Sequence, residues 1–172
     1  MAGRVLVAYG TKHGATAELA ERIGTVLREQ GVEADVLPAA DVEDLSGYTA
    51  VVLGSGVYYG RWVRGATRFL KRWKGELERM PLWLFSSGPT GEGEAEELTA
   101  GWRFPKSIQP LLERLKPMDT ALFKGKIDPE RLGSLERAVV GKVKAPSGDY
   151  RDWKEVEGWA ASIAGRVKGA ER

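Results

Sequence analysis

The chain contains no cysteine and a single histidine in 172 residues. The first absence excludes a disulfide framework, a zinc–cysteine centre, an iron–sulfur cluster and a thiol nucleophile, and it leaves the redox character of the compartment open. No stretch approaches the roughly 20 consecutive apolar residues of a membrane-spanning helix. The opening "MAGRVLVAYG" carries neither the apolar core nor the cleavage site of a secretory signal, so a cytoplasmic protein is expected. Neither sign of charge is in marked excess. The 26 Lys and Arg residues against 24 Asp and Glu leave a formal net charge of +2, too mixed to form the electrostatic footprint of a nucleic-acid binder. Internal repeats and low-complexity linkers are also missing, and at about 100 to 200 residues per domain the length corresponds to one domain spanning 1–172.

What is present is an alternation of two patterns. "RVLVAYG" (4–10) is a short apolar run ending in glycine, as expected of a strand buried on both faces. Thr16, Leu19, Ala20, Ile23, Val26 and Leu27 then recur at helical spacing until Gly31. "EADVLP" is a second strand, "DVEDLSG" (41–47) one helical turn, and "TAVVLGSG" (49–56) a third strand. Val63, Ala66, Phe69, Leu70, Trp73 and Leu77 form one helical stripe, followed by a fourth strand, "LWLFSSG". Ile108, Leu111, Leu112 and Leu115 mark a helix stopped by Pro117, and "TALFKGK" (120–126) is a fifth strand. Asp152 and Glu155 form a capping box that opens a last helix through Val156, Trp159, Ala160, Ile163 and Val167. Strands alternating with helices predict a doubly wound α/β fold, because each parallel crossover needs a helix to carry the chain back.

Ligands of such folds sit beyond the carboxyl ends of the strands. Three of those ends are rich in glycine and hydroxyls. After the first strand comes Gly10-Thr11-Lys12-His13-Gly14-Ala15-Thr16, at a helix start whose unpaired N–H groups and dipole favour an anion. After the third comes Ser55-Gly56-Val57-Tyr58-Tyr59-Gly60-Arg61-Trp62, and after the fourth Ser86-Ser87-Gly88-Pro89-Thr90-Gly91. Together these loops suit a phosphate and a flat aromatic ligand, a description that flavin mononucleotide (FMN) meets. Each feature also has a plainer reading. Thr and Gly suit caps and turns without any ligand, and Tyr58 and Tyr59 can be core or surface aromatics. His13 reads as an exposed loop residue or a phosphate neighbour rather than a base, since no carboxylate close in sequence orients it. Trp62 and Trp102 fall outside the helical stripes. Gly54, Gly56 and Gly60 miss the spacing of a dinucleotide fingerprint, and "GTKHGAT" lacks the Gly-Lys pair of a triphosphate loop. The carboxylates of "GEGEAEEL" (91–98) read as a solvated loop or helix start.

Over essentially the whole length, the order of elements and these loops resemble flavodoxin-like proteins. "GSGVYYGRW", "MPLWLFSSG" and "DYRDWKEVEGWA" are most similar to the bacterial menaquinone-dependent protoporphyrinogen oxidase group, as are the basic residue at Lys12 and the Gly-x-Thr at Gly14-Ala15-Thr16. The resemblance implies five parallel strands in the order 2-1-3-4-5 with helices on both faces, and FMN as cofactor. It places the FMN phosphate at Thr11, Lys12, His13, Gly14, Ala15 and Thr16. Ser55, Gly56, Val57, Tyr58, Tyr59 and Gly60 would flank the isoalloxazine on one side, and Ser87, Gly88, Pro89, Thr90 and Gly91 on the other. No catalytic side chain and no metal is implied. His13 and Ala15 depart from the familiar flavodoxin turn, which has more hydroxyls.

The implied activity is an oxidoreductase passing electrons from a reduced organic donor, with protoporphyrinogen IX the candidate, to a quinone, as in heme biosynthesis. The alternatives are an electron carrier working through redox protein partners and a cofactor-free interaction module. Residues 128–146 exceed what a minimal fold needs between its last strand and helix. Leu132, Leu135, Val139 and Val143 align there on one helical face, among Arg131, Arg137, Lys142 and Lys144. Such a basic amphipathic segment can contact the inner face of an anionic membrane peripherally, cover a quinone or porphyrin site, or pack on the domain edge.

Overall fold

A computed structural model describes residues 3–143 and 145–170, without the Val143 side chain. The strands are β1 (Arg4–Gly10), β2 (Glu33–Pro38), β3 (Tyr48–Tyr58), β4 (Arg61–Trp62), β5 (Leu82–Ser87), β6 (Asp119–Phe123), β7 (Lys126–Ile127) and β8 (Gly148–Asp149). The helices are α1 (Ala15–Glu29), α2 (Arg64–Arg72), α3 (Lys74–Leu77), α4 (Ala95–Leu98), α5 (Gln109–Leu115), α6 (Ser134–Val143) and α7 (Trp153–Ala170). The main sheet runs β2-β1-β3-β5-β6 and all its neighbours along that path are parallel. This is the expected order 2-1-3-4-5 of the five expected strands. Its switch in direction falls between β1 and β3, so the loops leaving those two strands diverge and open a crevice between them.

The uninterrupted apolar strands follow from burial on both faces. Val5 and Val7 face one core with Leu19, Ile23 and Leu27 of α1 and Val156 and Ile163 of α7. Leu6 and Ala8, one residue out of step, face a second core with Phe69 and Leu70 of α2 and Ile108. In the first core Phe85, Phe123 and Trp159 meet at ring separations of 5.5–5.9 Å.

Several local expectations are corrected. Residues 41–47 form no helical turn; a single 3-10 turn lies earlier, at Ala39–Asp41. The Asp44 carboxylate accepts the Ser46 N–H at 2.9 Å, a local side-chain bond that competes with helix. The stripe from Val63 to Leu77 is split between α2 and α3 at Trp73, whose φ of −102° and ψ of 14° leave the helical region. The fifth strand ends at Phe123 rather than continuing to 126. Gly125 lies so close to the Gly88 backbone that a Cβ would come within 3.0 Å of it, and its N–H donates to the Pro89 carbonyl at 2.9 Å. The chain therefore turns away, and β7 pairs antiparallel with β8 in a ribbon of its own. Asp152 caps α7 as expected, its carboxylate accepting the Lys154 and Glu155 N–H groups. Tyr58 and Arg61 pair across a two-residue turn to make β4, a hairpin added to the end of β3.

Candidate functional site

Side-chain hydroxyls tie the three loops to one another and to the sheet. In the turn after β1, Thr11 Oγ1 accepts the Gly14 N–H at 2.9 Å, which tightens the entry into α1. Thr16 Oγ1 and Ser87 Oγ are hydrogen-bonded at 2.8 Å with both residues buried, joining the start of α1 to the end of β5. The Lys12 N–H donates to the Tyr58 hydroxyl at 3.3 Å, and the His13 ring meets the Tyr58 ring edge-on at 5.9 Å. Ser55 Oγ donates to the Gly56 carbonyl and accepts the Val63 N–H. Trp62, buried rather than displayed, donates its indole N–H to buried Ser86 at 2.8 Å. These bonds pin both ends of the β3–β4 hairpin, whose tip holds Tyr59 and Gly60 at φ of 51° and 71°. Positive φ at both central positions matches the twist of a tight hairpin, and Tyr59 at the tip is 62% exposed.

A cavity of about 400 Å³ lies where the loops meet, inside the size range of cofactor pockets. His13, Ala15 and Thr16 line it from the first loop, Gly56 to Gly60 from the second, and Ser87 and Gly88 from the third. Thr11, Lys12 and Gly14 of the first loop do not line it, and Ser55 is fully buried under the second. Pro89, Thr90 and Gly91 lie off the cavity: Pro89 holds Gly125, the Thr90 hydroxyl is buried with no partner among the described residues, and Gly91 packs near Leu98 and Pro146.

The remaining wall comes from the segment 125–145. Ile127, Leu132, Val139 and Val140 give it an apolar surface, and Arg131 and Glu136 bring charge to its edge. Helix α6 thus lies over the cavity. Its inward stripe is not the expected one, for Leu135 points outward at 76% exposure while Glu136 points in. The Val143 side chain and Lys144 lie outside the described residues. Glu136 Oε2 is 2.7 Å from His13 Nε2 and 3.6 Å from Lys12 Nζ, and Arg131 Nη1 donates to the His13 carbonyl at 3.1 Å. The His13 hydrogen bond, aided by the charge of Lys12, holds the Glu136 carboxyl below the usual carboxylate range. Arg151, with its side chain nearly buried, clasps the far side of the turn by bonding Asp149, Glu18 and the Ala15 carbonyl. Arg131 and Glu136 escaped the site expected from sequence. The one available signal was the charged, amphipathic character of 128–146.

A parallel sheet in this order, with a glycine- and hydroxyl-rich turn, an aromatic lip and a 400 Å³ cavity at its switch point, is the geometry to compare with known proteins. A family model described as "Flavodoxin domain" matches residues 6–154. The chain belongs to the flavodoxin domain family. Within that family it is similar to the Escherichia coli (strain K12) protein named "Protoporphyrinogen IX dehydrogenase [quinone]", at 23% identity over 94% of each chain. A flavodoxin from the domain Archaea superposes with a TM-score of 0.57 at 19% identity, covering 96% of this chain and 99% of that one. A Pseudomonas aeruginosa flavodoxin does so with a TM-score of 0.59 at 14% identity, covering 96% and 99%. A flavodiiron core from Synechocystis gives 0.65 at 16% identity, covering 98% of this chain but 37% of that longer one.

FMN is accordingly the cofactor of this flavodoxin domain, and the domain is an FMN-type oxidoreductase. The residues present fit the group. The start of α1 with Lys12 and His13 beside it, a tyrosine against that turn and an apolar wall from 127–140 suit a phosphate joined to a flat ring. Among the described residues no helix is long and apolar enough to cross a membrane, and no cluster of His, Cys, Asp and Glu could hold a metal ion.

Proposed function

We propose that this flavodoxin domain carries electrons from a reduced, flat organic donor to a quinone, with protoporphyrinogen IX as the donor. FMN supplies the electron chemistry. The chain's part is to bind, orient and shield. The turn Thr11–Thr16 would hold the phosphate through the N–H groups at the start of α1 and the charge of Lys12, with His13 and Arg131 beside them. Tyr58 or Tyr59 would face the ring, where an aromatic face adds about 0.5–1.5 kcal/mol beyond burial. The backbone at Gly56 and Gly88 serves the ring heteroatoms. Each pair of hydrogens leaving the donor as electrons and protons reduces one quinone to quinol, so successive quinones complete the oxidation to porphyrin and no other oxidant is required.

The observation that carries this reading is the apolar cover. Leu132, Val139 and Val140 close the cavity beside the exposed Tyr59 lip, a setting for a lipophilic planar reactant rather than for direct docking of a protein. The distant relative named for the same pair of reactants supports it, as does the near-neutral net charge, since small soluble carriers steer to partners through a strong charge of one sign. The test is anaerobic. FMN-loaded protein is mixed with protoporphyrinogen and menaquinone, and porphyrin fluorescence is followed with each component omitted in turn. Porphyrin formation that needs both protein and quinone is expected. Reduced protein that quinones leave untouched, but a protein acceptor oxidises, would establish the electron-carrier reading instead.

A further inference from the structure

Glu136 is a carboxylate set into the inward stripe of α6, between Leu132 and the pair Val139–Val140. An apolar residue there would cover the cavity equally well. Instead the carboxylate reaches two side chains of the turn, at 2.7 Å from His13 Nε2 and 3.6 Å from Lys12 Nζ. The side chains of His13 and Glu136 are both largely withdrawn from solvent, at 22% and 21% exposure, so the contact is a seated one. The same segment grips the same turn a second time through Arg131 and the His13 carbonyl.

Taking the turn as the FMN phosphate site proposed above, we infer that Glu136 is an internal stand-in for that phosphate. The carboxylate satisfies Lys12 and His13 while the turn holds no ligand. A phosphate monoester entering the turn meets a like charge at these side chains and must displace it. Loading the cofactor therefore breaks the Glu136 contacts, loosens α6 from the turn and opens the apolar wall to a second ligand. A neutral flavin without the phosphate has nothing to compete for and leaves the contact in place.

The test compares the wild-type chain with Glu136→Gln, which keeps the shape and a hydrogen bond to His13 but removes the charge. FMN and riboflavin are titrated into both by flavin fluorescence at low salt. Tighter FMN binding in the variant by about fivefold is expected, the size of one unit-charge interaction across about 4 Å of water. Riboflavin binding should be unchanged, and the FMN gain should shrink at high salt. A latch with a purely structural role would lower the melting temperature of the variant without favouring FMN over riboflavin. Equal or weaker FMN binding in the variant, with wild type still preferring FMN to riboflavin, overturns the proposal and leaves the phosphate site standing. Absence of any flavin binding in both chains removes the phosphate site and the proposal together. Hydrogen exchange on wild-type protein needs no variant. Amides of 134–143 should exchange faster once FMN is bound, and slower or unchanged exchange contradicts the displacement of Glu136.

Discussion

The bond between Thr16 and Ser87 joins the first turn of α1 to the end of β5 and so sets the floor of the cavity. Thr16 is 1% exposed and Ser87 3%, and the two oxygens lie 2.8 Å apart. Both border the cavity yet present almost no surface to it. In Ser87→Ala the Thr16 hydroxyl is stranded, and a stranded buried hydroxyl costs about 1–3 kcal/mol. Thr16→Val keeps the side-chain shape and strands Ser87 at a similar cost. In a chain of this length each kcal/mol lowers the melting temperature by about 2–4 °C, so either single variant should lose about 4–8 °C for a cost near 2 kcal/mol. The double variant strands nothing, since both partners become apolar together. Its loss should be no larger than that of either single, giving a coupling of about 2 kcal/mol in the double-mutant cycle. Urea unfolding of the flavin-free protein, followed by circular dichroism, measures all four corners. Additive losses near 4 kcal/mol in the double variant would refute the reasoning.

Other consequences follow from the same contacts. Gly54→Ala would drive a Cβ to within 1.9 Å of the buried Phe85 ring, so it should cost about 1–3 kcal/mol by overpacking, read as a lower urea midpoint. Trp62→Phe strands Ser86 beneath the β3–β4 hairpin and should cost about 1–3 kcal/mol, with raised hydrogen exchange confined to residues 56–63. Acid should destabilise the fold through Asp149, lowered chiefly by its Arg151 hydrogen bond, and Glu136, lowered chiefly by His13. Both carboxyls are depressed in the folded state, so their contribution is complete above the unfolded values near about 4 and is lost as the pH falls through the folded ones. Melting curves between about pH 6 and 3 should fall less steeply for Asp149→Asn than for wild type.

The sheet was legible because each residue of Val5-Leu6-Val7-Ala8 serves one of two cores, leaving no polar position in the run. The cavity loops were legible for a similar reason: glycine and hydroxyl residues mark strand ends wherever they fall. The cover was harder to read. His13 and Glu136 are 123 positions apart, and no local pattern links a lone histidine to a glutamate that far along the chain. Leu132, Leu135 and Val139 share one face only of a helix that runs unbroken from Leu132, whereas α6 begins at Ser134 and turns Glu136 inward instead. Residues 41–47 and the early end of β6 were lost to a side-chain bond at Asp44 and to the contact of Gly125 with Gly88, both invisible to periodicity.

The central claim is that the cavity at the ends of β1, β3 and β5 holds FMN by its phosphate. Titration of the purified wild-type chain with FMN and with riboflavin, followed by quenching of flavin fluorescence, tests it most directly. Saturable FMN binding with much weaker riboflavin binding is the predicted result. Equal affinity for the two, or no binding of either, would contradict it.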